Sequence, residues 1–320
     1  MKKFLYNVLC FFLLFISIIM CGLLIARTTN PKNLYFSLID KHQMLQEREG
    51  PRIILVGGSN LSFGINSKLI QDSLGVNVIN TSVHAGLGLK FMMDDVVRFI
   101  KKGDIVILAP EYEHFFGNTF YGNEPAVNTI IAIPETFRFL SFHNWKEILG
   151  ILPETAVKNI IKFGFSEFNR LMGVERIGIY DRGSFNEYGD VTAHYNMKGE
   201  DFKPPLGITG DFNDETIKAI ISFRKRIEHK ESLFLFTYPC LMDTSFNSIT
   251  EQFKMVNFKL NEAQIKIIGT PQRYSLNDSL YFNSQYHLTK EGINIRTNHL
   301  IEDLQENTIF MSHLKNIKRE

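Results

Sequence analysis

Between residues 51 and 110 two kinds of apolar pattern alternate, and that alternation restricts the fold more than any other feature of this 320-residue chain. Ile53-Ile54-Leu55-Val56 is an unbroken apolar run bounded by Pro51 and by Gly57-Gly58, the pattern of a strand buried on both faces. Asn66 is placed to cap a helix whose apolar positions Leu69, Ile70 and Leu74 share one face. Ile65 and Ile70 are spaced as a hydrophobic staple and Gly75 supplies the stop. Val76 to Ile79 reads as a second strand. Leu89, Met92, Met93, Val96, Val97 and Ile100 then recur at helical spacing, and Lys101-Lys102-Gly103 provides a basic last turn and an end. Ile105 to Leu108 is the third strand. Such an order calls for right-handed crossovers and a parallel sheet.

The same alternation returns later. A helix through Ile217, Ile220, Ile221 and Ile227 leads into the strand Leu233 to Phe236, and a helical stretch over 248–262 leads into Ile265 to Ile268. A final helix from Thr289 aligns Ile293, Leu300, Ile301 and Leu304. The expected class is α/β with a five-stranded parallel sheet, the domain running over 51–310 and followed by a tail, 311–320. Residues 115–210 are rich in Phe, Gly and Asn with only fragments of helical pattern, such as 155–172, and read as an insertion beside the sheet. Within it, 181–190 reads as a polar surface loop followed by His194.

Phe4 to Ala26 is 23 residues without a charge, long enough as a helix to cross a hydrocarbon core of roughly 30 Å. It is too long for the apolar part of a secretory signal and lacks a small-x-small cleavage site, so residues 1–27 are expected to be an uncleaved transmembrane anchor and 28–50 a short helical stalk. Lys2 and Lys3 precede the span, while Arg27 and Lys32 follow it. The charges on the two sides are nearly even, and the expectation from a short positively charged N-terminus is N-in, with the domain outside the cytoplasm. With 44% hydrophobic and 22% charged residues the remainder is a folded protein, and a net charge of +1 removes the electrostatic footprint of a nucleic-acid binder. Three cysteines, Cys10, Cys21 and Cys240, build neither a disulfide framework nor a CxxC zinc site.

In an open parallel sheet, ligands bind beyond the carboxyl ends of the strands. The residues to read are therefore Gly57-Gly58-Ser59-Asn60, the loop Asn80 to Gly88, Pro110-Glu111-Tyr112-Glu113-His114, and Asn283 to Leu288 before the last helix. A serine on a glycine turn presents its hydroxyl to the crevice, its own N–H can bind an oxyanion, and a histidine from a distant loop can take its proton. Glu111 and Glu113 alternate in an extended segment and point to opposite faces. No HxxxH or HExxH motif supports a metal, and Gly57-Gly58-Ser59 has neither the GxGxxG spacing nor the lysine of a phosphate loop. No cofactor is expected.

VGGSN at 56–60, the glycine-containing loop at 80–88 and YHLTKEG at 286–292 resemble blocks I, II and V of the SGNH (GDSL-type) hydrolases. The resemblance spans about residues 51–305 outside the insertion. It implies a flavodoxin-like three-layer α/β/α sandwich with sheet order 2-1-3-4-5. Ser59 would be the nucleophile and His287 the general base, with the N–H groups of Ser59 and Gly86 and the side chain of Asn60 around the oxyanion. His84, Glu111 and Tyr112 would face the substrate. Two positions depart from the family pattern. Ser284 stands where an Asp is usual, leaving Asn283 as the group nearest His287, with Asp278 or a glutamate of 111–113 as carboxylate alternatives. The block III Asn is replaced by Pro110-Glu111-Tyr112-Glu113, and ionised glutamate only accepts hydrogen bonds. Anchor and domain together resemble bacterial envelope proteins that handle O-acyl groups on surface polysaccharides. The implied activity is that of a serine esterase or acyltransferase on O-acyl, foremost O-acetyl, groups of an extracytoplasmic glycan. The alternative is an impaired scaffold that binds a surface glycan or a membrane-bound O-acyltransferase.

Overall fold

Strands that are apolar on both faces must be covered on both, and the chain meets that need with helices on either side of one sheet. The computed structural model describes residues 1–29, 33–140, 142–173, 178–200 and 204–318. Its elements begin with α1 (Lys2–Thr29), α2 (Ser37–Glu47), β1 (Arg52–Gly57), α3 (Ser59–Ser62), α4 (Ser67–Leu74), β2 (Asn77–Asn80), α5 (Leu89–Val96) and β3 (Ile105–Ala109). They continue with α6 (Glu124–Ala132), α7 (Phe142–Leu171), α8 (Asp214–Glu228), β4 (Leu233–Thr237), β5 (Leu241–Met242) and α9 (Asp243–Ser248). The chain closes with α10 (Thr250–Glu262), β6 (Ile267–Ile268), β7 (Ser275–Leu276), α11 (Lys290–Glu306) and α12 (Thr308–Ile317).

The sheet has five parallel strands in the order β2-β1-β3-β4-β6, while β5 and β7 form a separate parallel pair. This order is compatible with a flavodoxin-like arrangement. Ile54 and Val56 of β1, with Val106, Leu108, Phe234 and Phe236, pack on the side of α2, α5, α8 and α10. Ile53, Leu55, Ile105, Ile107, Leu233 and Leu235 pack on the side of α4, α11 and α12. Register aligns Leu55 with Asn80, Gly57 with Ala109, and Leu108 with Phe236, so the carboxyl ends of the central strands open on one edge.

The local signals act as their chemistry requires. Asn66 Oδ1 accepts the N–H of Leu69 at 3.1 Å and Gly75 ends α4 at φ 64°, a left-handed position that favours glycine. Thr289 caps α11 through the N–H of Gly292.

Three expectations are corrected. The segment expected to be a stalk belongs to the domain: Leu34, Leu38 and Leu45 enter the core, and buried Lys41 donates to the carbonyls of Asn80 and Gly189, each at 2.8 Å. Arg52 secures the end of α2, its guanidinium reaching the Leu45 carbonyl while pairing with buried Asp104 at 2.6 Å. The supposed tail is most of α12, whose Phe310 and Leu314 complete the second core layer. The insertion holds α6 and a 30-residue helix, α7, where only 155–172 showed a pattern. A smaller adjustment is that the fifth strand pairs only over Ile267–Ile268. Lys32 lies outside the described residues. Among the described residues one helix, α1, is long and apolar enough over Lys2–Ile25 to cross a membrane.

Candidate active site

The end of β1 turns sharply at Gly58 into α3. A Cβ at Gly58 would overlap the Glu111 carboxylate that β3 sends beneath the turn, so glycine is required there by close approach. Asn60 is fully buried and pins this turn from three sides. Its N–H donates to Glu111 Oε1 at 2.9 Å, its Nδ2 donates to the Ala109 carbonyl at 2.8 Å, and its Oδ1 accepts from Arg296 Nη2 at 2.9 Å. Arg296 also donates to the Asn60 carbonyl, tying the turn to α11. Asn60 therefore holds the turn and does not present its amide to the crevice, which removes it as an oxyanion donor. Ser59 is half-buried, and its hydroxyl makes no hydrogen bond among the described residues.

The loop before α11 brings His287 to the same place. Ser284 Oγ accepts the N–H groups of Tyr286 and His287 at 3.3 and 3.2 Å, shaping the turn. Leu288 N–H donates to the Phe63 carbonyl at 3.1 Å, and the His287 ring stacks on Phe63 with centroids 4.1 Å apart. Phe63 ends the turn that Ser59 begins, so the two candidate catalytic segments are joined by both backbone and ring. His287 Nδ1 lies 2.9 Å from Asn283 Oδ1. An amide oxygen only accepts, so Nδ1 carries the proton and Nε2 keeps its lone pair. Asn283 is itself held, its Nδ2 donating to the Tyr180 hydroxyl at 2.8 Å. Burial, reinforced by neighbouring His84 and His194, pushes the His287 pKa down from 6.5 to about 3.

The carboxylate alternatives are engaged elsewhere. Asp278 accepts from the Thr244 hydroxyl at 2.7 Å. Glu113 Oε2 accepts from the Tyr286 hydroxyl at 2.6 Å, and that hydroxyl in turn accepts the Tyr112 N–H at 3.2 Å. Burial is the main cause that lifts the Glu113 pKa from 4.5 to about 7, the Tyr286 hydrogen bond opposing it. The alternation expected of Glu111 and Glu113 fails because Tyr112–Phe115 is a 3-10 turn, and both carboxylates bond inward. Tyr112 is buried in the core, so it does not line the crevice, and Glu111 lies under the Ser59 turn.

On the loop after β2, the Gly86 N–H donates to His84 Nδ1 at 2.9 Å. The donor assigned to the oxyanion is thereby engaged within its own turn. The same bond fixes His84, when neutral, with its proton on Nε2, and burial lowers its pKa, against the pull of Glu111. His114 Nε2 lies 2.9 Å from the Ala85 carbonyl, which places a proton on that nitrogen. Its Nδ1 faces Glu111 Oε2 at 3.5 Å, and both atoms are buried without a hydrogen-bond partner. Among the described residues no three His, Cys, Asp or Glu side chains gather as metal ligands.

Sequence reasoning missed Phe63, Tyr180, Arg296 and the Glu113–Tyr286 clasp. Arg296 had a signal: it interrupts the buried face of Ile293, Thr297 and Leu300 on α11, and a charge at a core position requires buried partners. Tyr180 had none, since its place depends on how the insertion folds back. A cleft elsewhere, of about 490 Å³ between α5 and α8, is lined by charged side chains such as Lys90, Asp94 and Arg226 and by no histidine. No family model and no curated protein matches this sequence.

Proposed function

We propose that this chain is a membrane-anchored serine esterase or acyltransferase of the SGNH type, acting on O-acyl groups, foremost acetyl, of a bacterial surface glycan. The observation that carries the reading is the Asn283–His287 pair. It holds an imidazole with a free Nε2 on the ring that closes the Ser59 turn, beyond the carboxyl ends of the sheet. Ser59 Oγ attacks the acyl carbon while His287 Nε2 takes its proton, and the Ser59 N–H faces the developing oxyanion. The carbon–oxygen bond to the glycan breaks, and the proton on His287 passes to the departing sugar oxygen. Water then frees the acyl group from Ser59 in an esterase; a second sugar hydroxyl does so in a transferase. In this reading α1 is N-in and the domain lies outside the cytoplasm.

A second reading is favoured by two observations. The Gly86 N–H is occupied by His84, and the partner of His287 is an amide, which orients an imidazole without stabilising its charged form. An impaired scaffold of this kind would bind a surface glycan or a membrane-bound O-acyltransferase.

Fluorophosphonate labelling of the full chain in detergent separates the two. An esterase or transferase labels, and Ser59→Ala and His287→Ala both abolish it. A folded chain that takes no label supports the scaffold.

A further inference from the structure

Helix α7 carries an apolar face that neither the domain nor α1 covers. One side of α7 meets the rest of the protein through Thr155, Ala156 and Asn159, all buried. There it packs against α1 so tightly that a Cβ on Gly22 would overlap the Ala156 carbonyl oxygen, the small-residue contact that lets two helix backbones touch. At about 100° per residue, Val157, Ile161, Phe165, Phe168 and Met172 fall together on the opposite side. Each of these five is at least half exposed, and Leu171 beside them is 79% exposed. A helix face turned to water carries charge. This one carries large apolar groups, and the acid at its N-terminal end, Glu154, is paired with Lys158 at 2.9 Å.

We propose that α7 is a second membrane-contacting element, its outer face buried at the boundary between headgroups and acyl chains beside α1. The occupant follows from continuity: near Gly22, at the carboxyl end of the span, α7 packs against the helix whose exposed Phe, Leu and Ile side chains suit a membrane, so its outer face adjoins the same apolar surface. It is not a second span, because Glu154, Lys158, Lys162 and Glu167 interrupt it. The arrangement suits an interfacial helix: Lys158 is neutralised by Glu124 at 2.7 Å and by Glu154 at 2.9 Å, and the Lys162 stem is long enough to carry its charge up to the headgroups. The proposal rests on α1 as a span and not on the serine chemistry.

Tryptophan quenching in the full chain, reconstituted in phosphatidylcholine nanodiscs, tests it. Trp145→Phe removes the chain's single tryptophan, and in that background one tryptophan is introduced by Phe168→Trp, with Phe165→Trp as a second variant. Phe258→Trp on α10, a site 61% exposed, is the water-facing control. Lipids with a nitroxide high on the acyl chain are expected to quench positions 165 and 168 roughly threefold more than 258. Equal quenching at all three positions overturns the proposal. Blue-shifted emission at 165 and 168 without quenching also overturns it, since the occupant is then protein.

Discussion

His287 is a base whose strength is governed by what surrounds it, and two predictions follow at the scale of that one ring. Its pKa is about 3 in the folded chain against an ordinary 6.5. Below pH 6.5 the unfolded chain binds a proton that the folded chain refuses, so this contribution is complete above 6.5 and falls away as pH drops toward 3. Between pH 6.5 and 5 it amounts to about 2 kcal/mol. The urea midpoint at pH 7 should therefore fall relative to that at pH 5 in His287→Gln compared with the unmodified chain, where Glu113, its pKa raised to about 7, supplies a slope of the opposite sign; an unchanged difference would assign the effect to other groups. His84 and His194, also lowered by burial, contribute with the same sign as His287. Asn283→Asp tests the other side of the ring. A carboxylate against Nδ1 favours the imidazolium, and the Tyr180 hydroxyl can turn to donate to it, so no buried group loses its partner. Since the reverse change in a serine-protease triad costs on the order of 10⁴ in kcat, a gain of roughly tenfold in fluorophosphonate labelling rate is expected, together with a raised His287 pKa in the proton NMR titration. A slower rate with a raised pKa would place the limiting step in oxyanion binding.

Helix α12 shows at the scale of an element why part of the fold was hidden. Phe310 and Leu314 stand one turn apart and close the layer that Leu74, Leu300 and Leu304 leave open, while Lys318 Nζ donates to the Leu74 carbonyl at 2.8 Å at the end of α4. Phe310→Ala should cost about 3–5 kcal/mol, read from urea denaturation; a cost below about 1 kcal/mol would mean that α12 is detachable. Of the five apolar residues in this short terminal helix only Phe310 and Leu314 are buried, too faint a stripe to read. The strands, by contrast, were legible because burial on both faces leaves no polar residue inside the run, as in Ile53 to Val56. The packing of α2, itself read as part of a helical stalk, was hidden for the opposite reason. Its charged Lys41 is buried on carbonyl groups, and Arg52 just beyond it is buried on Asp104, which composition alone assigns to water. Helix α7 was blurred because its buried face is made of Thr155, Ala156 and Asn159 while its large apolar side chains lie on the outer face, the reverse of the stripe that marks a helix packed on a core.

The site was legible to the extent that the topology of the whole molecule requires it. Once β1 and α11 are recognised, a parallel sheet brings the Ser59 turn and the His287 loop to one edge, and the motif at each strand end can be read directly. What neighbours those motifs was not legible, because Tyr180 arrives from the insertion and Glu111, Arg296 and Asn60 lock together across long stretches of chain. The same topology sets up a test of the proposed N-in orientation. With α1 N-in, every loop at the carboxyl edge of the sheet is outside the cytoplasm. Cys240 is buried and silent to a polar reagent, and Cys10 and Cys21, both within α1, can be replaced by serine. In that background Glu251→Cys, on a side chain 82% exposed, reports the side of the domain. A membrane-impermeant maleimide should label it in intact cells as fully as after lysis. Labelling only after lysis would put the domain in the cytoplasm. The serine chemistry would then have to act on an intracellular ester, while the seat of α7 against the lipid would be unchanged.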